Sequence, residues 1–329
     1  MSSKVLAKKY FIDNILSSLN INFQKSNLLN LVNLDGEKTI YKSTETKPFL
    51  LSIIVNQINY QFFVVVENNE IAKKIFQDCQ SFLGPNCPIF YIPEIETHPM
   101  SGLEKNSISL AERNDALSRV IELNGKPSLI FLSAISLAQK IPEKKYFYNT
   151  LLDLKVGQNL EISKLINKLI KYGYKRTHTV ESLGEFSVRG SLIDIFSAGQ
   201  KLPIRVDFYE DFIDGIRVFD PVTQRTVGRQ NNLIIRAIDY QNINNISEGS
   251  ITDLIGNSSC FVQINPNSSG HLVNQYKQRY TQKGIDDFLF DWKEINISLK
   301  KFKNKIYFEN LKVENKLPNN YIEIKKMDM

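Results

Sequence analysis

The feature that most constrains this chain is an alternation between residues 60 and 141. Short wholly apolar runs are separated there by amphipathic stretches. "YQFFVVVE", "PIFYIP" and "PSLIFLS" read as strands, while "NNEIAKKIFQDCQSFLG", "SLAERNDALSRVIEL" and "AISLAQKI" carry helical spacing, the first closed by Gly84. A strand with no polar side has no face to give to water. Strands of this kind alternating with helices therefore predict a parallel sheet covered on both faces. Residues 3 to 19 also carry helical spacing through Leu6, Tyr10, Phe11, Ile15, Leu16 and Leu19.

The pattern changes near residue 150. "EISKLINKLIKYGY" predicts a helix, and from 175 to 238 strand alternation with hairpin punctuation takes over. In "PIRVDFYE", Ile204, Val206 and Phe208 share one face, and Arg205, Asp207 and Tyr209 share the other. "IDGIRVFD" is expected as the return strand. In "GEFSVRGSLIDIF" the apolar parity shifts across Gly190, from Phe186 and Val188 to Ile193 and Ile195, which predicts a bulge or tight turn. Beyond 240, polar stretches flank "SCFVQI", a helical "HLVNQYKQRYTQ" and a late strand "KIYFEN". The expected fold class is α/β, a parallel-sheet domain interrupted by an α+β, hairpin-rich insertion. Its expected limits are 1–150 and 239–329 for the parallel-sheet domain and 151–238 for the insertion.

The functional classes narrow quickly. No apolar run is long enough for a membrane helix, and "MSSKVLAKKYF" has no signal-peptide core. Three cysteines without ligand-like histidines fit a reduced cytoplasmic protein. The three histidines are far apart, so no metal site is expected. "LDGEKTI" (34–40) holds Gly, Lys and Thr but lacks the first glycine of a phosphate loop and has Glu37 where phosphate charge would lie. It is read as an ordinary turn. Trp292 is expected in a core. No catalytic constellation is found and no cofactor is expected.

Net charge is +6, yet lysines are scattered throughout. Arginine is not: seven of the ten lie between 176 and 236, namely Arg176, Arg189, Arg205, Arg217, Arg225, Arg229 and Arg236. A planar guanidinium suits carboxylate or phosphate partners. Periodicity alone leaves two readings of this cluster open: cross-strand Arg–Asp pairing on a wet surface, or a face for a partner.

The stretch from Tyr172 to Val227 resembles a segment shared by bacterial transcription-repair coupling factors and the excinuclease protein UvrB. The resemblance rests on "GEFSVRG", the apolar-acidic strand "SLIDIF", "RVDFY", "FID", "RVFD" and "TQR". "FDPVTQRT" is closer to the coupling factors, and weaker similarity extends over roughly residues 1 to 240. The resemblance implies an insertion domain that docks the excinuclease protein UvrA, set in a degenerate helicase-like lobe. It transfers partner-binding roles to Arg189, Arg205, Tyr209 and Asp211. It further implies a non-enzymatic recruitment module of nucleotide-excision repair. A complete coupling factor would continue into an RNA-polymerase-binding domain and an ATP-driven motor. The chain is accordingly expected to be a fragment or truncated form that reaches RNA polymerase only through domains it lacks. The alternatives are an ATP-dependent, UvrB-like helicase component of the excinuclease, or a general DNA binder with weak DNA affinity.

Overall fold

A computed structural model describes residues 36–41, 48, 51, 52, 55, 60–83, 87–95, 107–239, 248–280, 288–309 and 321–323. The helix expected over 3–19 and the stop at Gly84 lie outside these residues.

Seven strands form one parallel sheet: β1 (Gly36–Tyr41), β2 (Gln61–Val66), β3 (Ile89–Ile92), β4 (Ser128–Ser133), β15 (Cys260–Ile264), β16 (Asn304–Glu309) and β17 (Tyr321–Glu323). Their order is β17-β1-β16-β15-β2-β4-β3. The apolar runs in β2 and β4 are continuous because both faces are covered. Phe62, Val64 and Val66 of β2, with Leu129 and Phe131 of β4, enter one core with helix α1 (Asn69–Leu83), which contributes Ala72, Ile75, Cys79 and Leu83 at helical spacing. Phe63 and Val65, with Ile130 and Leu132, enter a second core on the opposite face. Helices α2 (Ser107–Leu123), α3 (Ala134–Ala138), α7 (Pro266–Tyr280) and α8 (Trp292–Leu299) cover that side. Two short helices, α4 (Lys144–Asn149) and α6 (Ile251–Leu254), add Phe147 and Ile251 to the same core. The short antiparallel pair of β5 (Ile141–Pro142) and β14 (Glu248–Gly249) lies beside them in sequence. Trp292 is part-buried against this core. A Cβ at Gly270 of α7 would stand 2.6 Å from its ring, so glycine permits the α7–α8 approach.

The turn expected at 34–40 is corrected in part. Gly36–Tyr41 is strand β1, hydrogen-bonded in parallel between β16 and β17. Asp-Gly is turn-forming locally, but strand partners more than 250 residues away override that preference.

The second sheet is the strand-rich insertion. β7 (Lys175–Arg176), β8 (Glu185–Arg189), β9 (Leu192–Ile195), β10 (Ile204–Tyr209), β11 (Phe212–Phe219) and β12 (Thr226–Gln230) lie in the order β12-β11-β10-β9-β8-β7. All neighbours are antiparallel except β7 and β8. Helix α5 (Ile162–Lys171) packs Leu165 and Leu169 onto its inner face, with Phe186, Ile193, Ile195, Ile204 and Val206. The antiparallel pair β6 (Leu151–Lys155) and β13 (Asn232–Arg236) carries the chain into and out of this unit.

Helix α2 joins the two sheets. Arg113 is fully buried, donating to the Pro93 carbonyl and Ser136 Oγ at 2.6 Å and to the Ser136 carbonyl at 3.0 Å. Asn114 Nδ2 donates to the carbonyls of Ala237 and Ile238 at 3.2 and 2.9 Å.

Burial pushes the Cys79 and Cys260 thiols up to about 12, while Cys87 is part-exposed. At pH 8 the two buried thiols hold almost no thiolate, the reactive form. Alkylation of the native chain, followed by mass spectrometry, is therefore expected to modify Cys87 first, with the other two reacting only on unfolding.

Candidate functional site: the outer face of the insertion sheet

The two hairpins that build this face are set by short turns. Arg189 pairs with Leu192 across a two-residue loop, Gly190–Ser191, and Gly190 has φ +58°. Glycine at the first loop position suits the primed turns that match strand twist. A two-residue loop pairs residues of opposite parity, which accounts for the shift from Phe186 and Val188 to Ile193 and Ile195. Tyr209 pairs with Phe212 across Glu210–Asp211, and Glu210 takes φ +52°. A non-glycine residue there stores on the order of 1 kcal/mol. The tip is held from below: Leu160 N–H donates to the Asp211 carbonyl at 2.7 Å, and Ile213 N–H to that of Gln158 at 3.0 Å.

Strand register then lines up one row across five strands: Ser187, Asp194, Arg205, Arg217 and Arg229. Three adjacent arginines would repel one another, but two carboxylates offset this. Arg205 grips Asp194 with both fork atoms, Nε at 2.7 Å and Nη2 at 2.9 Å, and its guanidinium lies 4.5 Å from the Phe219 ring centroid. Arg189 Nη2 reaches the same carboxylate at 2.9 Å. Arg217 forks onto Asp207 at 2.6 and 2.5 Å. These bonds to Asp194 and Asp207 hold the Arg205 and Arg217 guanidinia above their ordinary pKa. Asp194 is 2% exposed, so both of its arginines are aimed by a carboxylate inside the sheet.

The four residues carried over by resemblance lie on this sheet or its tip, with different exposures. Tyr209 is 70% exposed, and its partner Phe212 is 47% exposed. Asp211 is exposed at the tip. The Arg189 side chain is 47% exposed but that of Arg205 only 13%, so Arg205 offers one edge while spending most of its donors on Asp194 and Gln224. Both arginines therefore take part in cross-strand Arg–Asp pairing, whatever else they do. The face also contains residues to which the resemblance gave no partner-binding role. Asp194 is one, and Arg217 and Arg229 border an open groove of about 560 Å³ with Leu192, Asp207 and Asp214. Alternation already placed Asp194 opposite Ile193 and Ile195; what it could not show was the strand register that brings Arg205 beside it.

The loop joining β11 to β12 borders the same face. Asp220 Oδ1 accepts from the Val222 and Thr223 N–H groups at 3.0 and 2.7 Å and from Thr223 Oγ1 at 3.0 Å. The Thr223 N–H foremost, then its hydroxyl, holds the Asp220 carboxyl below its ordinary 3.8. A depressed pKa means that this carboxylate's support of the loop is in place above pH 3.8 and is lost as pH falls through the lower folded value. An NMR titration of the Asp220 carboxyl carbon is expected to show a midpoint below 3.8, moved part of the way back by Thr223→Ala.

Residues 152–239 match the family described as the UvrB interaction domain. Among curated proteins, the transcription-repair-coupling factor of Rickettsia typhi is 27% identical over 243 residues, covering 74% of this chain and 20% of that protein. The one from Bacillus subtilis is 26% identical over 208 residues (59% and 17%), and that of Myxococcus xanthus 32% over 168 residues (50% and 14%). The chain thus spans at most about a fifth of the length of these relatives. Over residues 152–239 it resembles a UvrB interaction domain, and over most of its length it is similar to transcription-repair-coupling factors.

Proposed function

We propose that this chain acts as a recruitment module in transcription-coupled nucleotide-excision repair, docking the excinuclease protein UvrA through the outer face of the insertion sheet. The observation that carries this reading is the combination of an aligned arginine row with an exposed aromatic and acidic tip. Arg189, Arg205, Arg217 and Arg229 would face acidic groups on the partner. Tyr209 would fill an apolar pocket, and Asp211 would meet a cation. Exposed aromatics and arginines are the residues most enriched among energetically dominant interface positions. Similarity to coupling factors supports the same assignment, with a cytoplasmic setting. In this reading the chain contributes contact, not catalysis. ATP hydrolysis, translocation and RNA polymerase binding are left to other parts of a coupling factor. The test is calorimetric titration of the chain into UvrA, expected to give saturable one-to-one binding.

A second reading has its own observation. Lys164, Lys168, Lys171, Lys175 and Arg176 are all exposed along α5 and β7. Weak DNA binding through this stripe would weaken steeply with salt, and a flat salt response would remove it.

A further inference from the structure

We propose that Gln224 is a positioning residue for the docking face: its carboxamide oxygen sets the pose of the Arg189 and Arg205 guanidinia above Asp194. This inference rests on the docking reading above and adds to it a residue that makes no partner contact itself.

The geometry is specific. Gln224 Oε1 accepts from Arg205 Nη2 at 3.1 Å and from Arg189 Nη2 at 3.3 Å. The same two nitrogens donate to Asp194 Oδ2, each at 2.9 Å. Each Nη2 is thus held between a carboxylate in the sheet and an amide oxygen from the neighbouring loop. The amide is not free to turn over, because its Nε2 donates to the Pro221 carbonyl at 2.8 Å. The backbone is held as well. Gln224 N–H donates to the Asp220 carbonyl at 2.8 Å, Asp220 N–H to that of Arg225 at 3.0 Å, and the Asp220 side chain closes the loop on Val222 and Thr223.

Gln224 achieves this at φ +59°, a left-handed conformation that glycine adopts without strain. Glycine would suit the turn better, yet it has no side chain to reach the two guanidinia, as Gln224 Oε1 does. The side chain that strains the loop is the one that orients the arginines. Arg189 depends on it most. Its half-exposed side chain is held on Asp194 by one hydrogen bond, so losing the amide frees its rotamers and leaves them to be fixed on binding. Ordering one such long side chain on association corresponds to about a five- to tenfold loss of affinity.

The substitution Gln224→Gly separates positioning from structural support, because it removes the amide and the backbone strain together. The full chain carrying Gln224→Gly is expected to melt at the same or a higher temperature than the wild type. It should bind UvrA about five- to tenfold more weakly. In a double-mutant cycle, Arg189→Ala is expected to cost less affinity in the Gln224→Gly background than in the wild type, since Gln224 acts through Arg189. Unchanged affinity of Gln224→Gly, fully additive effects, or a fall in melting temperature that accompanies the affinity loss would each overturn the inference while leaving the docking reading intact. Unchanged affinity of both Arg189→Ala and Tyr209→Ala would overturn the docking reading and the inference together.

Discussion

Arg236→Ala is expected to lower the unfolding free energy by about 3 kcal/mol. Arg236 closes β13 and points out of the insertion towards helix α2 of the parallel-sheet lobe. Its side chain is 7% exposed; Nη1 donates to Asp115 Oδ1 at 3.1 Å, and Nη2 to both Glu122 oxygens at 2.8 and 2.9 Å. Its carbonyl accepts from the hydroxyl of Tyr174, which is itself buried and bonded to Ser197. Truncation leaves Asp115, nearly buried, with Arg119 as its remaining ion-pair partner at 2.8 Å. Asp115 then has one of its two arginine partners at a nearly buried position, and this thinner compensation of its charge, more than the lost attraction, supplies most of the effect. Arg236→Lys keeps the charge but cannot fork between two carboxylates, so an intermediate loss is expected. Urea unfolding measures both. A change below about 1 kcal/mol for Arg236→Ala would mean that this junction behaves like a solvated surface pair.

The second large effect is on binding. Tyr209→Ala is expected to weaken the association with UvrA by about 2 kcal/mol, roughly thirtyfold. The fold should not notice. At 70% exposure the ring contributes little to the core, and substitutions at such positions usually stay within about 0.5 kcal/mol. The turn that presents Tyr209 keeps its backbone bonds to Gln158 and Leu160. Tyr209→Phe retains the ring and is expected to stay within about threefold of the wild type. Arg205 is a poorer probe of the same contact. Removing it strips Asp194 of two of its three arginine hydrogen bonds, so any loss of binding would be mixed with a disturbed sheet.

What could be read from the amino acids follows from how far each determinant reaches along the chain. The apolar runs of β2 and β4 announce a two-sided sheet because burial on both faces leaves no polar position, a local property. The parity shift at Gly190 likewise reports a two-residue loop within a short stretch of chain. The misread turn at Gly36 has the opposite character, because β1 exists through β16 and β17. Side-chain partners follow the same division. Arg205 and Tyr209 share a face by simple alternation, which is legible. The Arg236 pairings to Asp115 and Glu122 span 121 and 114 residues, and nothing in the local pattern marks them. Gln224 was hidden for another reason: a left-handed glutamine in a turn contradicts local preference, so only the folded loop reveals what its amide holds.

The most direct test of the account is calorimetric titration of UvrA with the wild-type chain and with Tyr209→Ala, each checked by its melting temperature. Docking through this face would give saturable binding by the wild type and roughly thirtyfold weaker binding by a variant that melts at the same temperature. Equal affinities for the two chains, or no binding by the wild type, would contradict it.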